Sequence, residues 1–215
     1  DSAKLIDEIT YDEMLEMSSS GAGVLMARSV EFGRRYNVPI IVKSTFTNNK
    51  GTVVKEKTME EAIVSGVTHN DKEVKFTLFG VPDQPGIAGT VFGSLSEIGT
   101  NVDMIVQNVS KESITDISFT APSEQQKDVE DTLKNISKQL DAKGYDVDEN
   151  IARISIIGAG MKSESGVASK MFKTLGDNKI NISMISTSPI RVSCVISSND
   201  IEKALNVLHE EFITN

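Results

Sequence analysis

Residues 86–95 read GIAGTVFGSL, and residues 166–175 read GVASKMFKTL. The two stretches share glycine at the first position, alanine at the third, phenylalanine at the seventh and leucine at the tenth. After each glycine, apolar residues recur three or four positions apart, which is the spacing of one face of an α-helix. The chain therefore contains an internal repeat with an offset of 80 residues.

The similarity extends on both sides of these helices. Each copy has a β-rich run before its glycine, two more strand-like runs after the helix, and a second amphipathic helix. In the first copy these runs are 74–80, 101–109, 115–122 and 125–140; in the second they are 152–158, 180–188, 191–197 and 199–212. Asn199 or Asp200 is a suitable N-cap for the last helix. The order β-α-β-β-α lacks one strand of the split βαβ motif.

Each copy, called below the first and the second repeat, needs a closing strand. The first finds one at 145–149, whereas the second has no strand-like run after its second helix. An unassigned run, AIVSGVTH at 62–69, precedes the first repeat. We predict that this run completes one of the two units, which makes a domain discontinuous in sequence. The expected fold class is α+β, with two ferredoxin-like βαββαβ units whose edge strands could pair.

Residues 1–56 lie outside the repeat. Thr10 and Glu13 form a capping-box pattern that opens a helix over 11–19. A second helix is predicted over 26–37 and two strands over 38–46 and 51–54. A further capping pattern at Thr58 and Glu61 predicts a helical turn. This material is either a small N-terminal cap or the end of a larger domain.

Composition excludes several classes of function. The net charge is −9 over 215 residues, with no basic run, which argues against nucleic-acid and anionic-membrane partners. The single cysteine, Cys194, fits a reducing cytoplasm and lies in the apolar run VSCVI, so we expect a buried small side chain. The two histidines of the chain, His69 and His209, are far apart in sequence. No local pattern indicates a zinc site or a catalytic triad. We expect neither catalytic nor metal-binding residues here.

Longer stretches resemble a known family. The run DEITYDEMLEMSSSGAGVL with ARSVEFGRRYNVPIIVKSTF resembles the end of the amino-acid-kinase domain of aspartate kinase. The runs FGVPDQPGIAGTVFGSL and IIGAGMKSESGVASKMFKTL resemble the paired ACT domains that follow it. The similarity is greatest to the form with separate α and β subunits, whose β subunit is regulatory. It implies a kinase remnant at 1–56, one ACT domain at 74–149 and a discontinuous one at 62–69 with 151–215.

The resemblance implies a function. Aspartate kinase transfers phosphate from ATP to the β-carboxylate of aspartate, which opens the route to lysine, threonine and methionine, and its ACT pair binds end products. The family's Lys-Phe-Gly-Gly segment and aspartate-binding residues do not occur here, so we expect this chain alone to lack catalysis. We expect no cofactor in it, with ATP and Mg²⁺ held by the full kinase. The implied partners are lysine or threonine, a second copy through the ACT domains, and the kinase catalytic domain or α subunit.

An amino-acid effector suits the turns that open the repeated helices. Backbone N–H groups and the helix dipole favour a carboxylate, and glycine permits close approach. The strand after the helix could hold the ammonium group. The predicted site residues in the first repeat are Asp83, Pro85, Gly86, Ile87, Ala88, Asn101, Val102, Asp103 and Gln107. Those in the second are Met161, Ser165, Gly166, Val167, Asn181, Ile182, Ser183, Thr187 and Ser188.

Other interpretations stay open. Pro85 and Gly86 can also be interpreted as a turn without a ligand. Six apolar residues near the sites fit the core better than a site: Val102, Met104, Ile105, Ile182, Met184 and Ile185. The repeat could also be a dimerisation module that senses nothing, or the chain could be part of a complete enzyme. Two departures from the family matter: Gly23 replaces a lysine associated with the nucleotide, and Pro189 replaces a glutamate. The second repeat is therefore the weaker candidate for a lysine site.

Overall fold

The computed structural model describes residues 3–58, 62–109 and 113–214. The chain divides into two compact units, Asp1–Asn70 with Arg153–Asn215, and Asp71–Ala152. Within the described ranges, no helix is both long and apolar enough to cross a membrane. Helices and strands both contribute to each unit, which confirms the predicted α+β class.

The N-terminal segment forms a small three-stranded sheet with two helices. Its elements are β1 (Glu8–Thr10), α1 (Tyr11–Ser19), α2 (Ala27–Arg35), β2 (Ile40–Val42) and β3 (Thr52–Lys55). The central strand β3 pairs with β1 in parallel and with β2 in antiparallel orientation. The sequence missed β1, which is only three residues long, and overextended β2, predicted over 38–46.

The capping box at the start of α1 is present as predicted. The Thr10 hydroxyl accepts from the backbone N–H of Glu13, and the Glu13 carboxylate accepts from the backbone N–H of Thr10. The second predicted capping pattern involves Glu61, which lies outside the described residues.

The first repeat lies in the unit Asp71–Ala152. Its elements are β5 (Glu73–Pro82), α3 (Ile87–Glu97), β6 (Ile105–Val109), β7 (Ile114–Pro122), α4 (Gln126–Gln139) and β8 (Gly144–Asp148). The sheet order is β6-β7-β5-β8, and its described pairs are antiparallel. Phe76 and Phe119 stack at 5.4 Å on the face that the two helices cover.

The second repeat has the same arrangement of strands in its sheet, but the strand equivalent to β8 comes first in the sequence instead of last. Its elements are β4 (Gly66–Asn70), β9 (Ile151–Ile157), α5 (Val167–Asp177), β10 (Met184–Ser188), β11 (Arg191–Ser197) and α6 (Ile201–His209), after which Glu210–Thr214 forms a π-turn. The sheet order is β10-β11-β9-β4. The run predicted at 62–69 thus contributes a strand at Gly66–Asn70, antiparallel to β9.

Two sequence predictions in the second repeat concern the burial of Cys194 and the N-cap of α6. Cys194 is fully buried in the core of the second repeat, as predicted, and burial raises the pKa of its thiol to about 12. Of the two predicted N-caps of α6, Asp200 does occupy the N-cap position, although its side chain makes no cap hydrogen bond. Asn199 lies in the preceding 3-10 turn, where its N–H donates to the Ser197 hydroxyl.

Helix α1 packs against the second repeat's sheet on the face away from α5 and α6. Tyr11, Met14 and Met17 form a buried cluster with Ile157 of β9. Glu16 on the same helix pairs with Arg191 of β11 at 3.0 Å. The N-terminal segment and the second repeat therefore share one compact unit, although a boundary was predicted at residue 56.

Candidate functional site

Both repeated helices begin at a glycine in the left-handed conformation. Gly86 precedes α3 with φ of 95°, and Gly166 precedes α5 with φ of 90°. An added Cβ at either position would meet no atom within 4 Å, so the backbone conformation, not crowding, calls for glycine. Neither helix has a side-chain cap, and the first N–H groups of a helix have no intrahelical acceptor. Both N-termini can accept a carboxylate.

The predicted residues of the first repeat fall into two groups. Asp83, Pro85, Gly86, Ile87 and Ala88 form the turn after β5 and the first residues of α3, and all but Ile87 are exposed. Ile87 packs in part against the core.

Asn101, Val102 and Asp103 lie before β6, not within it as predicted. The Asp103 N–H donates to the Thr120 carbonyl, and its carboxylate accepts from the Met104 N–H, both at 3.0 Å. Because the Met104 N–H is bonded to the Asp103 side chain, regular strand pairing begins only at Ile105.

The two groups lie at opposite ends of the sheet. The turn follows Pro82, which pairs with Ile114, whereas Asp103 bonds to Thr120, the partner of Lys75. At about 3.4 Å per residue, the six steps along the strand from Ile114 to Thr120 correspond to roughly 20 Å. One repeat therefore does not bring Asn101, Val102 and Asp103 together with its own turn. Gln107 is exposed on β6 and pairs with Ile117, midway between these two ends of the sheet.

The second repeat has the same separation. Met161, Ser165 and Gly166 lie between β9 and α5, and Val167 is the first residue of α5. All four are on the side of the sheet where the Gly158 N–H donates to the Ile190 carbonyl. Asn181, Ile182 and Ser183 precede β10 at the other end, where the Ser183 N–H donates to the Val195 carbonyl at 2.8 Å. Thr187 and Ser188 return along β10 to the end that carries the turn.

The apolar candidates divide by position. Met104 and Met184 are buried, and Val102 and Ile182 are half-buried against their cores. Ile105 and Ile185, at equivalent positions on the edge strands β6 and β10, are 51% and 44% exposed. The two methionines therefore belong to the hydrophobic core, whereas these two isoleucines do not.

A cavity of about 320 Å³ lies beside the N-terminus of α5. Ser165, Gly166 and Val167 line it together with residues that the sequence did not indicate: Ile63, Val64, Lys170, Glu211 and Phe212. Lys170 pairs with Glu211 at 2.8 Å and lies 5.2 Å from the centre of the Phe212 ring. No sequence signal could have found this pair, because its members lie on different helical elements that meet only in the fold.

The turn after β9 is anchored to the N-terminal segment by Glu13. Its carboxylate accepts from the Ala159 N–H at 2.9 Å and from the Ser65 hydroxyl. Burial raises the pKa of this carboxyl, but the hydrogen bonds from Ser65, Thr10 and Ala159 together outweigh burial, and the pKa lies below its ordinary value. Glu13 is thus a buried, ionised group that joins α1 to the start of the Ala159–Lys162 turn.

The close approach of two backbones reinforces this anchor. The Gly160 N–H donates to the Ala62 carbonyl at 3.1 Å. A Cβ at Gly158 would lie 2.2 Å from the Ile63 carbonyl oxygen. The turn that leads to Gly166 is therefore packed tightly against the segment that precedes β4.

The described ranges contain no group of three or more His, Cys, Asp or Glu side chains that could hold a metal. Gly23 presents no side chain to a nucleotide.

Comparison with known proteins gives two family matches. Residues 75–141 and residues 154–212 each match an ACT domain. Over 98% of its length the chain is 45% identical to an aspartate kinase of Pseudomonas fluorescens (strain SBW25), of which it covers 52%. The chain thus spans about half the length of the curated relatives it matches.

Two solved structures of aspartate kinase subunits are also similar to this chain. A structure of aspartokinase alpha and beta subunits is 38% identical, with a TM-score of 0.66; the match covers 69% of this chain and 98% of that one. The ligand-free regulatory subunit of aspartate kinase from Thermus thermophilus is 35% identical, with a TM-score of 0.67, and the match covers 70% of this chain and 99% of that one.

Proposed function

We propose that this chain, which belongs to the aspartate kinase family and carries its two ACT domains, is the amino-acid-sensing regulatory region of such a kinase. The whole enzyme would phosphorylate the β-carboxylate of aspartate with ATP, with ATP and Mg²⁺ bound by the remainder of the kinase. Residues 1–56 would belong to the kinase domain, and 62–69 with 151–215 to the second ACT domain. A cytoplasmic location belongs to the same proposal and suits the single buried Cys194.

The repeated helix start carries the proposal. Gly86 and Gly166 give both helices an uncapped N-terminus with open space beside it, which suits the carboxylate of a free amino acid. Both repeats share the left-handed glycine and the absence of a side-chain cap, which supports the same role for the two helix starts.

The polar groups favour lysine in the first repeat. Asp83 and Asp103 bring carboxylates that suit the α-ammonium and the side-chain ammonium of lysine. In the second repeat Ser183 takes the place of Asp103, and Pro189 adds no charge. Threonine, with a hydroxyl side chain, is the better ligand there.

A complete site needs two ACT domains. Because the turn and the Asp103 segment lie at opposite ends of one sheet, a single amino acid can reach both only when they come from different domains. Two domains placed side by side and antiparallel along β6 or β10 would bring one turn against the other segment. The exposed Ile105 and Ile185 on these edge strands support such pairing, and a homodimer would supply the second domain.

The anchor at Glu13 supplies a route for the signal. A ligand held at Gly166 would bias the turn that begins at Ala159, and the Ala159 N–H is bonded to Glu13 of the N-terminal segment. Occupancy would thus alter the packing of the segment attached to the kinase domain. Such coupling is typically about 1–3 kcal/mol.

Titration calorimetry with this chain tests the proposal. Lysine and threonine are expected to bind, and Asp103→Asn is expected to weaken lysine binding about tenfold or more, with threonine binding at the second repeat unchanged. Asp131→Asn, in a solvent-exposed ion pair on α4, is the matched control. Unchanged lysine affinity in Asp103→Asn would refute the assignment of this carboxylate.

The alternative is a dimerisation module without a ligand. The exposed isoleucines on both edge strands favour it equally, because pairing alone would cover them. Heat-neutral titrations with lysine, threonine and both together, combined with a stable dimer in sedimentation, would select this alternative.

A further inference from the structure

The two sheets have equivalent faces turned away from their helices, called here the open faces. The hydroxyl pair Thr77–Ser118, at 3.0 Å, occupies the place in the first repeat that the pair Ser155–Ser193, at 2.7 Å, occupies in the second. Strand register extends the equivalence to further pairs of positions: Lys75 with Arg153, Phe79 with Ile157, Asp116 with Arg191, Asp146 with Thr68, Asp148 with Asn70, and Gly144 with Gly66.

In the second repeat a helix covers this face. Ile157 is fully buried beneath α1, and a Cβ at Gly66 would lie 2.6 Å from the terminal methyl of Met17. Glu16 of the same helix pairs with Arg191. The open face of the second sheet is thus a built docking surface for an acidic, methionine-bearing helix.

In the first repeat the end of the same face around Phe79 is uncovered, whereas Thr120 at its other end is buried. Phe79, the counterpart of buried Ile157, is 39% exposed, and a Cβ at Gly144 would meet no atom within 4 Å. A cavity of about 340 Å³ lies between Phe79, Asn108, Asp116 and Lys143. Asp116 accepts a hydrogen bond from the Gly80 N–H at 2.8 Å but makes no ion pair with any residue that the structure describes.

The charge of the face is reversed between the repeats. At the equivalent positions the second repeat has two arginines, Arg153 and Arg191, and no carboxylate. The first has three carboxylates against two ammonium groups: Asp116, Asp146 and Asp148, with Lys75 and Lys143. Where α1 presents Glu16 to an arginine, a helix on the first repeat would have to present a basic side chain to Asp116.

We propose that the open face of the first repeat docks a helix of another protein, one that carries apolar side chains such as methionine together with a lysine or arginine at the position corresponding to Glu16. The apolar side chains would cover Phe79 and the surface around Gly144, and the basic group would pair with Asp116. Pairing at a face that the helix shields from water gives the contact its charge specificity.

The probe for this surface is a charge-reversed copy of α1. A stapled helical peptide with the sequence of residues 10–20 and the substitution Glu16→Lys is titrated against the full chain by fluorescence anisotropy. The unsubstituted peptide is the matched control. Saturable binding of the E16K peptide is expected, with the unsubstituted peptide about tenfold weaker.

Substitutions at Asp116 localise the binding. Asp116→Arg is expected to weaken the E16K peptide about tenfold and to strengthen the unsubstituted peptide. Because Asp116→Arg also removes the acceptor for the Gly80 N–H, Asp116→Asn, which retains an acceptor oxygen, should weaken the E16K peptide in the same direction. Asp177→Arg, an exposed change on α5, should leave both affinities unchanged.

Three outcomes would overturn the proposal. The first is that neither peptide saturates at millimolar concentration. The second is that both peptides bind equally to all variants, since that would show nonspecific attraction. The third is a dimer of this chain that Asp116→Arg dissociates, because a second copy would then be the occupant of the face.

Discussion

The carboxylate of Glu13 accepts a hydrogen bond of 2.9 Å from the backbone N–H of Ala159, a residue 146 positions later in the chain. Glu13 belongs to α1, and Ala159 begins the turn that leads to the helix start at Gly166. The same carboxylate also completes the capping box of α1 and binds Ser65. One side chain therefore joins the N-terminal segment, the segment before β4 and a candidate effector turn.

Replacing Glu13 by glutamine should destabilise the unit Asp1–Asn70 with Arg153–Asn215. The amide would place a donor against N–H donors, and a broken buried hydrogen bond to a charged group costs about 1–3 kcal/mol. Urea unfolding measures the loss. Asp12→Asn, which breaks a half-exposed pair with Arg34, should cost no more than about 1 kcal/mol. Equal losses in the two variants would contradict the anchoring role.

The contribution of Glu13 should also depend on pH. Its pKa is lower in the folded chain than the ordinary 4.5, so its stabilisation is present above that value and disappears as the pH falls through the folded pKa. The difference in unfolding free energy between the native chain and Glu13→Gln should therefore shrink as the pH is lowered from about 6 to about 3. A difference that stays constant over this range would show that Glu13 acts without its charge.

The two helix-start glycines should resist substitution for conformational reasons. Gly86→Ala and Gly166→Ala should each cost about 1–2 kcal/mol, because alanine in the left-handed region is strained even where space is open. Binding of an amino-acid carboxylate at the affected turn should weaken as well.

Two other glycines provide matched controls. Gly89 and Gly176 lie inside α3 and α5 with the same open space and without positive φ. Alanine there should stabilise by about 0.5–1 kcal/mol. Thermal unfolding distinguishes the two pairs, and a loss of stability at all four positions would contradict the role of φ.

The ion pair between Glu16 and Arg191 should contribute more than a surface pair. Its side chains are 26% and 15% exposed, whereas those of Asp177 and Lys173 are 63% and 76% exposed. A double-mutant cycle with Glu16→Gln and Arg191→Met should give a coupling of about 1 kcal/mol or more. The corresponding cycle for Lys173 and Asp177 should give about 0.3–0.5 kcal/mol. Similar couplings would mean that α1 is loosely held on the sheet.

Cys194 should report on global opening of the second repeat. Its side chain is fully buried, and burial raises the pKa of the thiol to about 12, so reagents that need the thiolate should not react with the folded chain. The rate of alkylation by iodoacetamide at pH 8 should therefore equal the rate of unfolding, or be proportional to the population of the open state. Rapid modification of the native chain would show a local opening at β11.

The sequence by itself determined the elements and their repetition. The shared GxAxxxFxxL pattern located α3 and α5, alternation and apolar runs located most strands of both sheets, and the Thr10–Glu13 pattern located α1 to the residue. These features are local, because helix periodicity and caps depend on residues three or four positions apart. The resemblance to aspartate kinase rests on the same local stretches and agrees with the comparisons.

Only the tertiary structure decided which local features meet. The sequence placed Asn101 and Asp103 beside the Asp83–Ala88 turn, but strand order puts them at opposite ends of the sheet. It also did not reveal that Glu13 reaches Ser65 and Ala159, or that α1 covers one open face while the surface around Phe79 on its counterpart is uncovered. Such contacts depend on how strands order and pack across long separations, and no spacing within a short window encodes that information.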